Sequence, residues 1–132
     1  ALHPADLFIK AAAVSDFRPT TQHDHKVKKT QGESHISLAS TPDILQWIGN
    51  HKPPHTISLG FAMETTDLLE QARAKRTKKN ADWIVANYIG TQQQGFASDY
   101  NKVTLVGDGI EESFEGPKDD LAMSLLRSIF LS

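Results

Sequence analysis

The chain has 132 residues, a length that fits one compact domain, and 39% apolar with 23% charged residues is the composition of an ordinary globular protein. A net charge of −2 gives no global attraction to DNA, RNA or anionic lipid, so any anion site must be local. The absence of cysteine excludes a disulfide scaffold, a zinc-thiolate site, an iron–sulfur cluster and thiol catalysis.

No apolar run approaches the roughly 20 residues that cross a bilayer, and Ala1–Asp6 lacks the basic and apolar regions of a signal peptide. The expectation is a cytoplasmic protein with no membrane or nucleic-acid partner. Because an apolar strand begins by Leu7, the sequence reads as a fragment. The run from Leu7 to Val14 is continuously apolar apart from Lys10, which predicts a strand covered on both faces, with Asp16 at its carboxyl end.

Lys26-Val27-Lys28-Lys29 and His35-Ile36-Ser37-Leu38 flank a turn at Gln31-Gly32-Glu33 and predict a projecting hairpin, an arm over residues 26–39. Thr41 with Pro42 and Asp43 after it predicts a helix start: a hydroxyl cap, proline in the first turn and an acid near the positive end of the dipole. Ile44, Leu45 and Ile48 supply its buried stripe, and Pro53-Pro54 ends it.

Thr56 to Ala62 reads as a second inner strand, with Gly60 permitting close approach. Asp67 and Glu70 resemble a capping box that opens a helix through Lys79, with Leu68, Leu69 and Ala72 inward. Trp83 to Asn87 is a third inner strand. Lys102–Val106 and Ile110–Phe114 form a hairpin about Gly107-Asp108-Gly109, and residues 118–131 a last helix with Leu121, Leu125 and Ile129 inward. The expected fold is a single α/β domain over residues 1–132: a mostly parallel, Rossmann-like or ribokinase-like three-layer sheet with antiparallel edge strands and a projecting hairpin.

Chemistry concentrates in few places. Five of the seven residues from Arg73 to Lys79 are basic, and Lys75 and Lys79, four apart, share a helix face as a receptor for phosphate oxygens. The plain alternative is that these cations complement the helix dipole. Lys26, Lys28 and Lys29 form a second basic cluster, or merely guard a sheet edge. Asp16, Gly60-Phe61 and Asn87 fall near the ends of inner strands, where open α/β sheets bind ligands. Phe61 offers a flat wall to a base or sits in the core; Asp16, and more weakly Glu64, offers a carboxylate to ribose or magnesium, or caps the chain. Gly107 and Gly109 do not extend to a phosphate-binding glycine motif, because position 112 is Glu112.

Taken in order, Ala12–Pro19, Lys26–Lys29, Thr41–Leu45, Gly60–Thr65, Lys75–Asn80, Asp82–Asn87 and Gly95-Phe96 with Ser98-Asp99 and Asn101 resemble the bacterial phosphopantothenate–cysteine ligases, the synthetase half of the bifunctional coenzyme A biosynthesis proteins. The resemblance implies that CTP activates the carboxylate of 4'-phosphopantothenate as an acyl-cytidylate with loss of pyrophosphate, and that the amine of L-cysteine displaces CMP. It implies a nucleotide site of Lys10, Ala11, Ala12, Asp16, Lys26, Pro42, Asp43, Ile44, Leu45, Phe61, Lys75 and Lys79. Lys26 is then the catalytic cation, magnesium helps offset crowded anions, and the arm makes a homodimer contact. The family's glycine-rich phosphate loop and essential asparagine have no counterpart here, which implies a nucleotide half-site that is inactive alone. An ATP-using relative, a nucleotide-binding module without chemistry, and a basic nucleic-acid module, disfavoured by net charge, are the competing readings.

Overall fold

The computed structural model describes residues 5–29, 32–88 and 99–131. In chain order the elements are β1 (Leu7–Lys10), β2 (Phe17–Pro19), β3 (Leu38–Ser40), α1 (Ile44–His51), β4 (Ile57–Glu64), α2 (Leu68–Lys79), β5 (Trp83–Tyr88), β6 (Tyr100–Val106), β7 (Glu111–Pro117) and α3 (Lys118–Leu131). They divide into two compact units, one made of the chain up to Ala11 and from Ile44 onward, the other of Ala12–Asp43.

The larger unit is a five-stranded sheet in the order β1-β4-β5-β6-β7. Its β1–β4 and β4–β5 pairings are parallel, joined through crossovers, and its β5–β6 and β6–β7 pairings are antiparallel. Alternation along the strands sends Ala62, Ile84, Ala86 and Val106 to one face, where they meet Leu45 of α1 and Leu68, Leu69 and Ala72 of α2. Leu59, Val85, Val103 and Leu105 face the other way and meet Leu121, Leu125 and Ile129 of α3. The expected α/β class with antiparallel edge strands is the class observed.

Two local features lock this arrangement. Gly60 sits where a Cβ would run into the Leu45 side chain, so α1 seats directly on β4. Asn80 adopts a left-handed φ of 50°, closes α2 by giving its N–H to Arg76 and Thr77, and gives its amide to the Gly49 carbonyl of α1 at 3.0 Å. The β6–β7 hairpin closes as expected, with Gly107 N–H bonded to Ile110 O at 2.8 Å and Gly109 at φ 66°.

The smaller unit corrects the expected hairpin. Its strands are β2 and β3, paired antiparallel with Arg18 opposite Ala39, and Thr20 N–H extends the ladder to Ser37 O at 2.9 Å. Lys26–Lys29 is not a strand, and Gln31 of the expected turn lies outside the described residues. The alternating pattern at His35–Leu38 indicated strand character there but not its partner, which pairs from 19 to 23 residues upstream rather than across a tight turn.

Three helix-start expectations are also corrected. The Thr41 hydroxyl donates to Ser15 O at 2.5 Å instead of capping α1, and Pro42 and Asp43 precede the first helical residue. Ile44 is 42% exposed, leaving Leu45 and Ile48 as the buried stripe. Asp67 lies in the left-handed region at φ 49° and makes no side-chain cap for α2; its backbone carbonyl accepts from Gln71 instead.

Candidate functional site

Beyond the carboxyl end of β1, register does the assembling. Lys10, the last residue of β1, lies beside Gly60 in the middle of β4, which in turn lies beside Ile84 of β5. Leu45, 3% exposed, packs on Gly60, so the start of α1 is held against β4. The next residue along β4 is Phe61, which retains 36% of its surface, and the Lys75 ammonium donates to its backbone carbonyl at 2.7 Å. Ala11 follows β1 directly. Lys10 and Leu45 therefore meet at Gly60, and Lys75 reaches the backbone of the next residue, Phe61, whose side chain faces the other side of the sheet.

Lys79 does not join them. It ends α2 beside Gly49 of α1, about 6 Å further along the helix axis than Lys75 for a separation of four residues. Lys75 and Lys79 share a helix face, and Lys75 leans onto β4.

Asn87, which the sequence places near the end of an inner strand, lies on β5 opposite Met63 and Val103 and keeps its side-chain oxygen buried without a hydrogen-bond partner among the described residues.

The smaller unit carries Ala12, Asp16, Lys26, Pro42 and Asp43. Ser15 Oγ donates to Phe17 O at 2.8 Å, and Asp16 O accepts from Thr41 N–H at 2.9 Å, which tethers the Asp16 and Thr41 ends of this unit together. The side chains of Asp16 and Lys26 are exposed and make no ion pair among the described residues. Gly95, Phe96 and Ser98 lie outside the described residues.

At the opposite, amino-terminal end of the parallel strands, Asp82 is a structural hub. Its carboxylate accepts from Ser58 N–H at 2.7 Å and Ser58 Oγ at 3.2 Å and pairs with Lys52 at 3.1 Å, while Arg76 donates to its backbone carbonyl at 2.9 Å. Arg73, Arg76, Thr77 and the Gly107–Glu111 turn line a cleft of about 420 Å³. There, the Arg73 guanidinium binds Glu111, and that hydrogen bond holds the Glu111 carboxyl below its ordinary range and raises Arg73. The basic run thus splits: Lys75 turns toward the strand ends, and Arg73 and Arg76 serve the scaffold.

The model of the family described as the DNA/pantothenate metabolism flavoprotein C-terminal domain matches residues 1–131, and the chain belongs to that family. It is 46% identical over 101 residues to the coenzyme A biosynthesis bifunctional protein of Bacillus subtilis (strain 168), covering 76% of this chain and 25% of that protein. It is 35% identical over 131 residues to a cysteine/cysteine sulfinic acid decarboxylase of an unknown prokaryotic organism, covering 98% of this chain and 36% of that protein. Among solved structures, the C-terminal domain of a coenzyme A biosynthesis bifunctional protein superposes with a TM-score of 0.65 at 34% identity, over 94% of this chain and 53% of that domain. The chain thus spans about a third or less of these two curated relatives.

Proposed function

We propose that this chain carries the nucleotide-binding part of a CTP-dependent phosphopantothenate–cysteine ligase acting in coenzyme A synthesis in the cytoplasm. The observation that carries the reading is the placement of Lys10, the last residue of β1, beside Gly60 under Leu45 of α1, with the Lys75 ammonium on the carbonyl of the following residue, Phe61. In this reading Phe61 forms an apolar wall for the base. Backbone groups at Ala11, Ala12 and Pro42–Leu45 distinguish cytosine from adenine at the exocyclic edge, and Lys75 and Lys79 meet phosphate oxygens. Asp16 contacts the nucleotide, and Lys26 neutralises charge that develops on acyl transfer.

Among the described residues no three His, Asp or Glu side chains cluster for a metal, which fits magnesium carried mainly by triphosphate oxygens with one or two carboxylates, Asp16 among them. Bound there, magnesium would supply charge compensation between the triphosphate and the substrate carboxylate. The same reading makes the 26–39 segment a homodimer contact, because Val27, Ile36 and Leu38 are 64%, 74% and 56% exposed.

Calorimetric titration with CTP and ATP tests the nucleotide assignment: tighter binding of CTP is expected, and equal affinities overturn the base selectivity. The isolated chain is expected to make no phosphopantothenoylcysteine, because orienting and shielding the activated acyl group needs a second wall. Pyrophosphate release coupled to cysteine consumption by the chain alone would show a complete catalytic set. A monomer in sedimentation at high concentration would overturn the dimer contact.

A further inference from the structure

α2 ends on a seam with α1 that is built largely from backbone. The last four carbonyls of a helix have no donor within it and must find one outside. In α2, Arg76 O takes the Ala81 N–H at 3.0 Å and Thr77 O the Asn80 N–H at 3.2 Å, a closure that the left-handed Asn80 makes possible. Lys78 O accepts instead from Gln46 Nε2 of α1 at 3.3 Å. Asn80 answers in the other direction, donating Nδ2 to Gly49 O of α1 at 3.0 Å and to Asn50 Oδ1 at 3.4 Å. Gln46, Gly49 and Asn50 are spaced to share one face of α1, the face turned to α2.

Gly49 sets how close the two helices come. A Cβ there would overlap Lys79 O and Asn80 O, backbone atoms that cannot rotate aside. Glycine is a poor helix former beside alanine, and the close approach is what this position gains from it. The seam closes on Lys79: its carbonyl lies against Gly49, and its neighbours Lys78 and Asn80 each hydrogen-bond α1. Lys79 is half-buried there, whereas Lys75, one turn earlier, is held separately by the Phe61 carbonyl.

We infer that Gly49 and Asn80 are positioning residues of the nucleotide site: their contact fixes the distance from the start of α1 to Lys79, and so decides whether the phosphate chain of a nucleoside triphosphate held at α1 reaches that cation. The base end and the phosphate end of the ligand are read by two helices, and the backbone contact between them acts as the ruler. The inference rests on the nucleotide reading of this site and adds to it two residues that act through Lys79.

Calorimetric titration of the chain with CTP and with CMP separates this role from a loss of stability, because only CTP carries the distal phosphates. Gly49→Ala, which drives the end of α2 off α1, should weaken CTP binding by about tenfold and CMP binding by less than about twofold, since a charged partner displaced by about an ångström is costly and the base end is untouched. Asn80→Gly keeps the left-handed conformation without strain and removes only exposed side-chain bonds, so it should fold like the unmodified chain and lower the CTP-to-CMP affinity ratio by about threefold. It carries the test if Gly49→Ala does not fold. Leu121→Ala, a core truncation under α3 on the other face of the sheet, should lower the denaturation midpoint and leave that ratio unchanged. An unchanged ratio in either folded seam variant, or an equal fall in Leu121→Ala, overturns the inference and leaves the proposed function intact. An unmodified chain that binds no CTP, or binds CTP and CMP equally, overturns the phosphate role of Lys79 and the inference with it. Equal binding of CTP and ATP, with the ratio still falling in both seam variants, would sink the base selectivity and leave the seam standing.

Discussion

The two units of this chain are held together by different forces. The sheet unit buries Ile84, Leu105, Val85 and Val106 almost completely, in two layers that meet helices on either face. In Ala12–Asp43, by contrast, every described residue except Ala39, Thr41 and Asp43 is exposed, and the unit is defined by backbone ladders and short side-chain hydrogen bonds. A hydrogen bond exposed to water contributes on the order of 1 kcal/mol net, because water competes for both partners, whereas a buried aliphatic side chain contributes about 1.5–3 kcal/mol. The difference teaches that stability resides in the sheet, while the smaller unit keeps its cations and apolar side chains available for something else.

The largest expected contrast is a pair of truncations. Ile84→Ala removes a side chain with no exposed surface and should cost about 2–5 kcal/mol in chemical denaturation, while Ile36→Ala, on a residue 74% exposed, should stay within about 0.5 kcal/mol at low protein concentration. A comparable loss from Ile36→Ala would break the comparison by showing that the smaller unit is packed in solution.

Next comes the hub at the amino-terminal strand ends. Asp82→Ala strips acceptors from the N–H and hydroxyl of Ser58, a residue with no exposed surface, and should cost about 1–3 kcal/mol. Asp16→Ala in the smaller unit should leave the denaturation midpoint unchanged, since its side chain makes no ion pair among the described residues. A large effect there would move Asp16 from the ligand to the scaffold.

Hydrogen exchange sharpens the same contrast without mutation. The amides of β2 and β3 should open in local fluctuations well below the global unfolding free energy, and those of β4 and β5 only with global unfolding. Equal protection in both units would show one cooperative body.

The smallest effect is electrostatic. The Arg73 hydrogen bond lowers the Glu111 carboxyl from 4.5, so its contribution to stability is fully present above that value and is lost as pH falls through the lowered folded value. Both side chains are solvent-accessible, so Glu111→Gln should leave neutral-pH stability nearly unchanged and slightly flatten the acid limb of a melting curve. A marked loss at neutral pH would contradict a screened surface pair.

Much of the sheet unit was legible in sequence because its signals are local. Trp83–Asn87 is too apolar to be anything but an inner strand, Gly107-Asp108-Gly109 specifies a turn, and Leu121, Leu125 and Ile129 repeat at helical spacing. The arm was misread for the complementary reason: His35–Leu38 alternates like a strand, but which segment pairs with it depends on loop closure over many residues. Of the candidate site, Phe61 and Lys75 were singled out by strand-end position and helical spacing and Lys10 and Leu45 through resemblance, while the meeting of Lys10 and Leu45 at Gly60 is a matter of register and packing.

The sequence by itself determined the order of most strands and helices, the interior character of β4 and β5 and the concentration of positive charge in α2, since periodicity, turn chemistry and composition are properties of neighbouring residues. Only the tertiary structure decided that Lys75 turns to the Phe61 carbonyl while Arg73 binds Glu111 and Arg76 the Asp82 backbone, and that among the described residues the Asn87 oxygen has no partner and β1 pairs on one side alone. Those outcomes depend on which residues, distant in the chain, are brought within a few ångströms by packing, and a side chain's hydrogen-bond partner is set by that proximity and not by its position in the sequence.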